Sequence, residues 1–152
     1  MNKTIILIFT ILFVIILLDQ ITKEIALKKC KSYDKRFLNG HLRFTYLENK
    51  GSFLGLFEKH YFIVLLLSSI ILLIAIFYMI IKFNAFNIFM HIAFAIFIGG
   101  GIGNYIDRIF RHYVIDFICI KFIKKETFVF NLADLFIFIG AILFLIGVIF
   151  IC

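Results

Sequence analysis

The sequence predicts a membrane protein of the all-α class, with four transmembrane helices and a small β structure on the membrane surface. Of 152 residues, 64% are hydrophobic, and the mean hydropathy is +1.11, well above the values of soluble domains. Four stretches approach or reach the roughly 20 apolar residues that cross about 30 Å of hydrocarbon. A chain of this length is expected to form one integral-membrane domain over residues 1–152.

The four predicted spans cover approximately residues 4–26, 61–81, 86–106 and 132–151. The first apolar run, 4–18, covers about 22 Å at the helical rise per residue. Its helix must therefore continue through Asp19, Thr22 and Lys23 before it leaves the membrane. A cleaved signal peptide is the alternative, because Lys3 precedes the apolar core. The following "DQITKEIALKKC" lacks a small-residue cleavage site, so we expect the segment to stay attached.

The loops between the spans carry two extended segments. In the first loop, Asn39-Gly40 is a pair typical of two-residue hairpin turns, and "LRFTY" (42–46) then alternates apolar and polar residues;. One apolar and one basic face would suit a sheet lying on the membrane surface. The alternative is an ordinary hairpin packed on the helix ends. A second extended segment is predicted over 113–123.

The positive charges are distributed unequally between the two sides of the membrane. With four spans, loops 19–60 and 107–130 share one side and hold fourteen of the sixteen Lys and Arg. The termini and the turn "KFNAFN" on the other side hold the remaining two, Lys3 and Lys82. The positive-inside rule alone would place the two basic loops in the cytoplasm.

The polar residues within or next to the apolar runs fall at span ends that lie on one side of the membrane. They are Asp19 and Lys23 in the first span, Asn104, Asp107 and Arg108 near the end of the third, Asn131 and Asp134 at the start of the fourth, and Asp116 in the loop between the last two. Ionisable residues at membrane depth are rare and usually functional. We therefore expect a polar site at this interface.

The residue types available limit the chemistry of that site. The four histidines and the cysteines Cys30, Cys119 and Cys152 are scattered without metal-ligand spacing, and there is no glycine-rich phosphate loop;. We expect no metal, no cofactor and no nucleic-acid partner. Paired aspartates remain. Two close carboxylates share a proton, so the charged one can deprotonate water while the neutral one polarises an amide carbonyl.

Three aspartates compete for the two places. Asp107 has Arg111 one helical turn later, which favours a fixed ion pair and a scaffold role. Apolar neighbours should raise the pKa of Asp116. Asp134 begins the fourth helix, where Asn131 can cap the free amides and the helix dipole favours the anion. We predict Asp116 and Asp134 as the dyad. On spacing alone, a first-turn helix acid and a surface loop residue remain an equal alternative.

Five blocks of the sequence resemble a known family. They are "LDQITK" (18–23), "NKGSFLG" (49–55), "GGGIGNYIDRI" (99–109), "VIDF" (114–117) and "FNLAD" (130–134). In order and spacing they are similar to the blocks of bacterial lipoprotein signal peptidases, also called signal peptidase II. The similarity extends over nearly the whole chain.

The resemblance implies an intramembrane aspartyl endopeptidase that removes the signal peptide before a diacylglyceryl-modified cysteine of prolipoproteins. It assigns the catalytic aspartates to Asp116 and Asp134. The residues that it implies for substrate binding or support of the site are Asp19, Lys23, Asn49, Gly51, Asn104, Asp107, Arg108, Asn131 and Ala133. For each of these, a purely structural role stays open.

The resemblance also implies a location. It places the chain in the bacterial cytoplasmic (inner) membrane, with the site and the β structure extracytoplasmic and both termini cytoplasmic, against the charge distribution. The basic loops would then bind phospholipid headgroups around the lipidated substrate. A monomer is expected.

One block departs from the family pattern. In Ser52-Phe53-Leu54 the aromatic residue is shifted by one position, so the contacts of that loop with the substrate are in doubt.

Two other functions stay open. A small proton-coupled transporter would also use membrane carboxylates, although nearer mid-bilayer. A non-catalytic membrane assembly protein would need neither aspartate.

Overall fold

A computed structural model of the chain describes residues 2–30, 35–37, 41–51, 60–122 and 125–150. The helices are α1 (Asn2–Lys29), α2 (Tyr61–Ile81), α3 (Ile88–Arg111) and α4 (Leu132–Phe150). The strands are β1 (Lys35–Phe37), β2 (Leu42–Asn49), β3 (Val114–Phe122) and β4 (Lys125–Phe130). Within the described residues, all four helices are long and apolar enough to cross a membrane, which confirms the predicted fold class.

Helix α3 is the centre of the bundle. Of its spanning segment 56% is buried, against 17% to 22% for the other three helices. Large apolar side chains such as Phe13, Phe62, Phe77 and Phe138 are instead exposed on the outer surface. This pattern suits helices surrounded by hydrocarbon, because apolar side chains on the outer surface then contact lipid and not water.

The boundaries of α1 and of α3 differ from the predicted spans at both ends. Helix α1 covers Asn2–Lys29 where the span 4–26 was predicted. The third span was predicted to begin at residue 86, but α3 begins after Asn87, whose side chain accepts a hydrogen bond from the Met90 amide at 2.9 Å. That span was also predicted to end at 106, whereas α3 continues to Arg111. The extension is possible because Asp107 is paired with cations. Helix α1 does continue through Asp19 and Lys23, as its short apolar run required.

The strands form one antiparallel sheet in the order β1-β2-β3-β4. Strand β2 confirms the alternating segment, although Asn39-Gly40, Ser52-Phe53-Leu54, Ile123 and the terminal Cys152 lie outside the described residues. The sheet packs on a helix end, since Ala26 of α1 forms a cluster with Ile115 and Phe117 of β3, and with Phe44 and Tyr46. The structure thus favours the hairpin packed on helix ends.

Helices α3 and α4 approach each other at glycines. A Cβ atom added at Gly100 would lie 2.5 Å from the Ala133 carbonyl oxygen and 3.0 Å from the Ile137 amide nitrogen. One at Gly140 would lie 2.5 Å from the Phe97 nitrogen. Such close backbone approach is typical of small-residue interfaces between membrane helices. It fixes the start of α4 against the end of α3, where the polar residues lie.

We expect Gly100→Ala to destabilise the protein by about 1–3 kcal/mol, because its new methyl group meets backbone that cannot yield. The neighbouring Gly101→Ala is the matched control, since its Cβ would meet only the end of the Leu72 side chain. Thermal unfolding midpoints in detergent measure both. Equal midpoints for the two variants would show that the close contact between α3 and α4 does not restrict the size of residue 100.

Candidate active site

The fold brings all the sequence-predicted site residues to one end of the bundle. Helix α1 contributes Asp19 and Lys23, α3 contributes Asn104, Asp107 and Arg108, and the start of α4 contributes Asn131, Ala133 and Asp134, while β3 and the end of β2 with its following turn contribute Asp116, Asn49 and Gly51. Of these, Asp19, Lys23 and Asp107 have no exposed surface, and Asp116 is 2% exposed. Side chains so deeply buried must be held by specific partners.

The start of α4 holds Asp134 by reciprocal capping. The Asn131 side-chain oxygen accepts a hydrogen bond from the Asp134 amide at 2.9 Å, which confirms the predicted cap. In return, Asp134 Oδ2 accepts one from the Asn131 amide at 3.2 Å. These two hydrogen bonds fix the direction of the Asp134 carboxylate at the positive end of the helix dipole.

Asp116 lies on β3 with both carboxyl oxygens held by amides. Asn131 Nδ2 donates to Oδ1 at 2.7 Å, and Asn49 Nδ2 donates to Oδ2 at 2.8 Å. Asn49 is itself oriented, because its oxygen accepts a hydrogen bond from the Gly51 amide at 3.0 Å. Gly51 therefore acts on the site through Asn49.

The environment of Asp116 favours its protonated form. Burial, and then the nearby negative charge of Asp134, raise the pKa of Asp116 from 3.8 to about 7, although hydrogen bonds from Asn49 and Asn131 and the charge of Lys23 oppose the rise;. The pKa increase that the apolar neighbours of Asp116 suggested is therefore found, with a like charge as a second cause. A pKa of about 7 leaves this carboxyl group partly protonated at neutral pH;.

Asn104 connects the two aspartates. Its Nδ2 donates to Asp134 Oδ1 at 2.8 Å, and its Oδ1 accepts a hydrogen bond from Asn131 Nδ2 at 3.1 Å. Since Asn131 also donates to Asp116, hydrogen bonds form a continuous chain from one carboxyl group to the other.

An ion cluster lies behind this chain. Lys23 Nζ contacts Asp19 Oδ2 at 2.7 Å and Asp107 Oδ2 at 3.1 Å, and Asp107 also pairs with Arg111, as the sequence spacing predicted. The carboxylates also hold backbone: Asp19 accepts from the Ala133 amide at 3.0 Å, and Asp107 accepts from the amide of Ile115 at 3.2 Å. Asp107 is therefore placed as a scaffold residue.

Gln20 is a member of this cluster that the sequence reading missed. Its Nε2 donates to Asp19 Oδ2 at 3.2 Å and to Asp107 Oδ1 at 3.3 Å, while its oxygen accepts from Arg111 at 3.0 Å. The available signal was a polar amide directly beside Asp19, at the point where the apolar run of α1 ends.

The charges of the site leave one negative charge in excess. The cations are Lys23, Arg108 and Arg111, and the carboxylates are Asp19, Asp107, Asp116 and Asp134. An uncompensated buried charge is expensive, so one proton on a carboxyl group balances the cluster. Asp116 is the group whose pKa makes it the natural carrier of that proton.

Both aspartates line a cavity of about 560 Å³ between α2, α3 and α4. Its polar end is formed by Asn49, Asn104, Arg108 and the two aspartates. Apolar residues form the remaining wall, among them Val64, Leu67, Ile71, Phe97, Ile137 and Phe138. Within the described residues, no group of three or more His, Cys, Asp or Glu is arranged to hold a metal ion. The cavity can therefore hold an apolar chain next to two carboxyl groups that differ in how readily they are protonated.

Comparison with known proteins gives a consistent result. A family model described as signal peptidase (SPase) II matches residues 11–150. The lipoprotein signal peptidase of Clostridium novyi (strain NT) is 36% identical over 84% of this chain and 87% of that protein. That of Buchnera aphidicola subsp. Baizongia pistaciae is 38% identical over 95% of this chain and 90% of that protein.

A solved structure is similar along almost the whole chain. It is a bacterial membrane enzyme determined by the in meso method at 2.3 Å resolution, with a TM-score of 0.80 and 29% sequence identity. The alignment covers 97% of this chain and 88% of that one. The arrangement of helices and sheet is therefore shared.

The raised pKa of Asp116 predicts how stability depends on pH. Because the folded state binds this proton more tightly than the unfolded state, stability should be full near pH 4 and fall as the pH rises towards 7;. Asp116→Asn removes the titrating group, so its stability relative to the wild type should rise by about 1–3 kcal/mol between pH 4.5 and pH 8. Thermal unfolding in detergent across this range measures the difference; parallel curves would contradict the assignment.

Proposed function

The chain belongs to the signal peptidase II family, and we propose that it is an aspartyl endopeptidase of diacylglyceryl-modified prolipoproteins. Family membership makes it a multi-pass membrane peptidase that processes lipoproteins. The proposal adds the chemistry: water attack activated by Asp116 and Asp134, without a metal or a covalent intermediate. The observation that carries it is the joint placement of these two carboxyl groups in one cavity, in unlike environments.

The two environments support different roles. Asp134 accepts hydrogen bonds from Asn104 and from the Asn131 backbone at a helix N-terminus, an arrangement that favours the carboxylate;. Asp116, with its pKa of about 7, holds the shared proton. We assign Asp134 as the base that takes a proton from water, and Asp116 as the acid that protonates the carbonyl oxygen of the scissile amide.

The protons balance because each aspartate takes part in one proton transfer in each of two steps. In the first step the water oxygen bonds to the carbonyl carbon, its proton passes to Asp134, and the proton of Asp116 passes to the carbonyl oxygen. In the second step the C–N bond breaks. As this bond breaks, Asp134 protonates the leaving nitrogen, and a hydroxyl of the tetrahedral intermediate returns a proton to Asp116.

The cavity supports a lipid-bearing substrate. Its apolar wall on α2 and α4 suits the apolar segment of a signal peptide or an acyl chain, and its polar end suits the peptide bond;. Arg108 and Asn49 line this end, so we propose them as substrate contacts. The proposed supporting residues are Asp19, Lys23, Gly51, Asn104, Asp107, Asn131 and Ala133.

We further propose that the active site faces the outer side of the bacterial cytoplasmic membrane, with cytoplasmic termini and a monomeric chain. On this proposal, lipid-modified precursors present their cleavage site on the same side. The basic loops on that side would bind anionic phospholipid headgroups, which accounts for their charge despite the positive-inside tendency.

The position of the carboxylates argues against a transporter. Asp19, Asp107, Asp116 and Asp134 all lie at one end of the bundle, whereas a proton carrier needs acids near the bilayer centre. The unlike settings of the two cavity aspartates similarly argue against a non-catalytic assembly protein, which has no use for them.

Asp116→Asn and Asp134→Asn should each lower cleavage by at least about 10³-fold, because each removes one proton transfer while preserving side-chain size. Purified protein with a diacylglyceryl-modified prolipoprotein, followed by gel shift, measures this. Glu24→Gln is the control, since this half-exposed acid lies at the same bundle end and pairs with Lys28 and Arg111 outside the cavity. Normal cleavage by either aspartate variant would refute the dyad.

Cysteine labelling tests the proposed orientation. In single-cysteine variants, a membrane-impermeant maleimide added to spheroplasts should label Cys30, at the end of α1 near the sheet, and should label Cys152 only after permeabilisation. Cys119 is 1% exposed and is replaced in both variants. Labelling of Cys152 but not Cys30 would reverse the orientation.

A further inference from the structure

We propose that Lys23 is a positioning residue for catalysis, acting through the side-chain amide of Asn104 on Asp134. The inference rests on the proposed function and assigns to this lysine a role beyond neutralising its acidic neighbours. Its basis is the hydrogen bond from Lys23 Nζ to Asn104 Oδ1 at 2.9 Å, which joins residues 81 positions apart in the chain.

Lys23 uses its three ammonium protons on three acceptors. Two are the carboxylates of Asp19 and Asp107, at 2.7 and 3.1 Å, and the third is the neutral oxygen of Asn104. The side chain has no exposed surface, so water cannot replace any of these acceptors. The third contact is different because Asn104 touches Asp134 directly.

The side-chain amide of Asn104 can adopt two orientations, which exchange the positions of its oxygen and its NH₂ group. The contact with Lys23 favours one of them. In the observed orientation, Oδ1 accepts from Lys23 and from Asn131, while Nδ2 donates to Asp134 Oδ1 at 2.8 Å. The reverse orientation would direct the NH₂ group at the ammonium and at the Asn131 NH₂, and the oxygen at the carboxylate. Every contact would then be repulsive.

Asn131 alone is a weaker determinant of this orientation. Its Nδ2 donates one proton to Asn104 Oδ1 at 3.1 Å and the other to Asp116 Oδ1 at 2.7 Å;. A neutral amide donor binds less strongly than an ammonium. Loss of the Lys23 contact would therefore leave the Asn104 amide held only by Asn131 and by Asp134 itself. The Nδ2 donor that directs Asp134 into the cavity would then be less firmly oriented. Misplacement of a catalytic group by such a change lowers turnover more than substrate binding.

Removing Lys23 alone would leave Asp19 buried without a counter-charge and Asp107 with Arg111 as its remaining cation, so the variant would be expected to misfold;. A charge-compensated background avoids this. In Asp19→Asn, the side-chain oxygen can still accept from the Ala133 amide, as Asp19 Oδ1 does at 3.0 Å. Lys23→Met is then added, which keeps the length of the side chain and removes all three donors.

The test compares four proteins in the Asp19→Asn background: the background itself, Lys23→Met, Asn104→Ala, and both changes together. We expect Lys23→Met to lower kcat by about 10- to 100-fold with KM little changed. In the Asn104→Ala background, the same change should lower kcat by less than about threefold, because the Asn104 amide through which Lys23 acts is already absent. Activities are normalised to the folded fraction from thermal unfolding.

A matched control separates positioning from loss of a cation. Arg111→Met with Glu24→Gln is also charge-compensated and also removes a cation from Asp107. Among the described residues, Arg111 contacts Asp107, Gln20 and Glu24, whereas the Asn104 side chain contacts Lys23, Asn131 and Asp134. It should lower stability while retaining most of kcat.

Three results would overturn the inference. They are equal losses from Lys23→Met with and without Asn104, an unchanged kcat in Lys23→Met, and equal kcat losses in the Arg111 control. If Asp19→Asn does not fold, the same series is built on Asp107→Asn, and failure of Lys23→Met to be tolerated in both backgrounds would reduce the lysine to a structural residue. Failure of the wild type to cleave a lipidated precursor would refute the proposed function instead.

Discussion

The buried ammonium of Lys23 is the interaction on which the rest of the site depends. Asp19 and Asp107 lie on either side of it, and without it their carboxylates would repel each other in a region that excludes water;. Their other contacts hold the backbone of Ala133 at the start of α4 and of Ile115 in β3. One cation thus connects α1, α3, α4 and the sheet. Because buried ion pairs contribute little net stability, we interpret this cluster as a device for placing elements accurately.

That placement is what makes two identical side chains chemically different. Asp134 begins a helix, where backbone amides and the dipole favour a negative charge;. Asp116 lies in a strand, where burial and the neighbouring carboxylate raise its pKa to about 7. The asymmetry is produced by secondary structure and not by residue type, and it survives only while α3, α4 and β3 keep their relative positions.

Local patterns in the sequence were sufficient for the helices and for the cap at Asn131, because hydropathy and three-residue spacing act within one element. The pairing of Asp107 with Arg111 was predictable for the same reason. The contacts of Lys23 with Asp107 and Asn104 were not, since both residues lie on another helix and Asn104 is 81 positions away in the chain. Nor was the position of Asp116, which depends on the register of β2 and β3, where an irregularity lies between Phe44 and Leu47. Asn87 was missed as a helix cap because the adjacent Phe86 extends the apolar run.

The location of the dyad at one end of the bundle follows from the opposite demands of the proposed reaction. Hydrolysis consumes water and creates charge, so it requires polar surroundings such as those provided by Asn49, Asn104 and Arg108. A lipid-modified precursor must keep its apolar parts out of water, as the wall of α2 and α4 permits;. A site at mid-bilayer would lack the water, and one on the exposed sheet would lack the apolar wall. Only the boundary where helix ends meet the sheet satisfies both demands, and this is where the cavity is open to both aspartates.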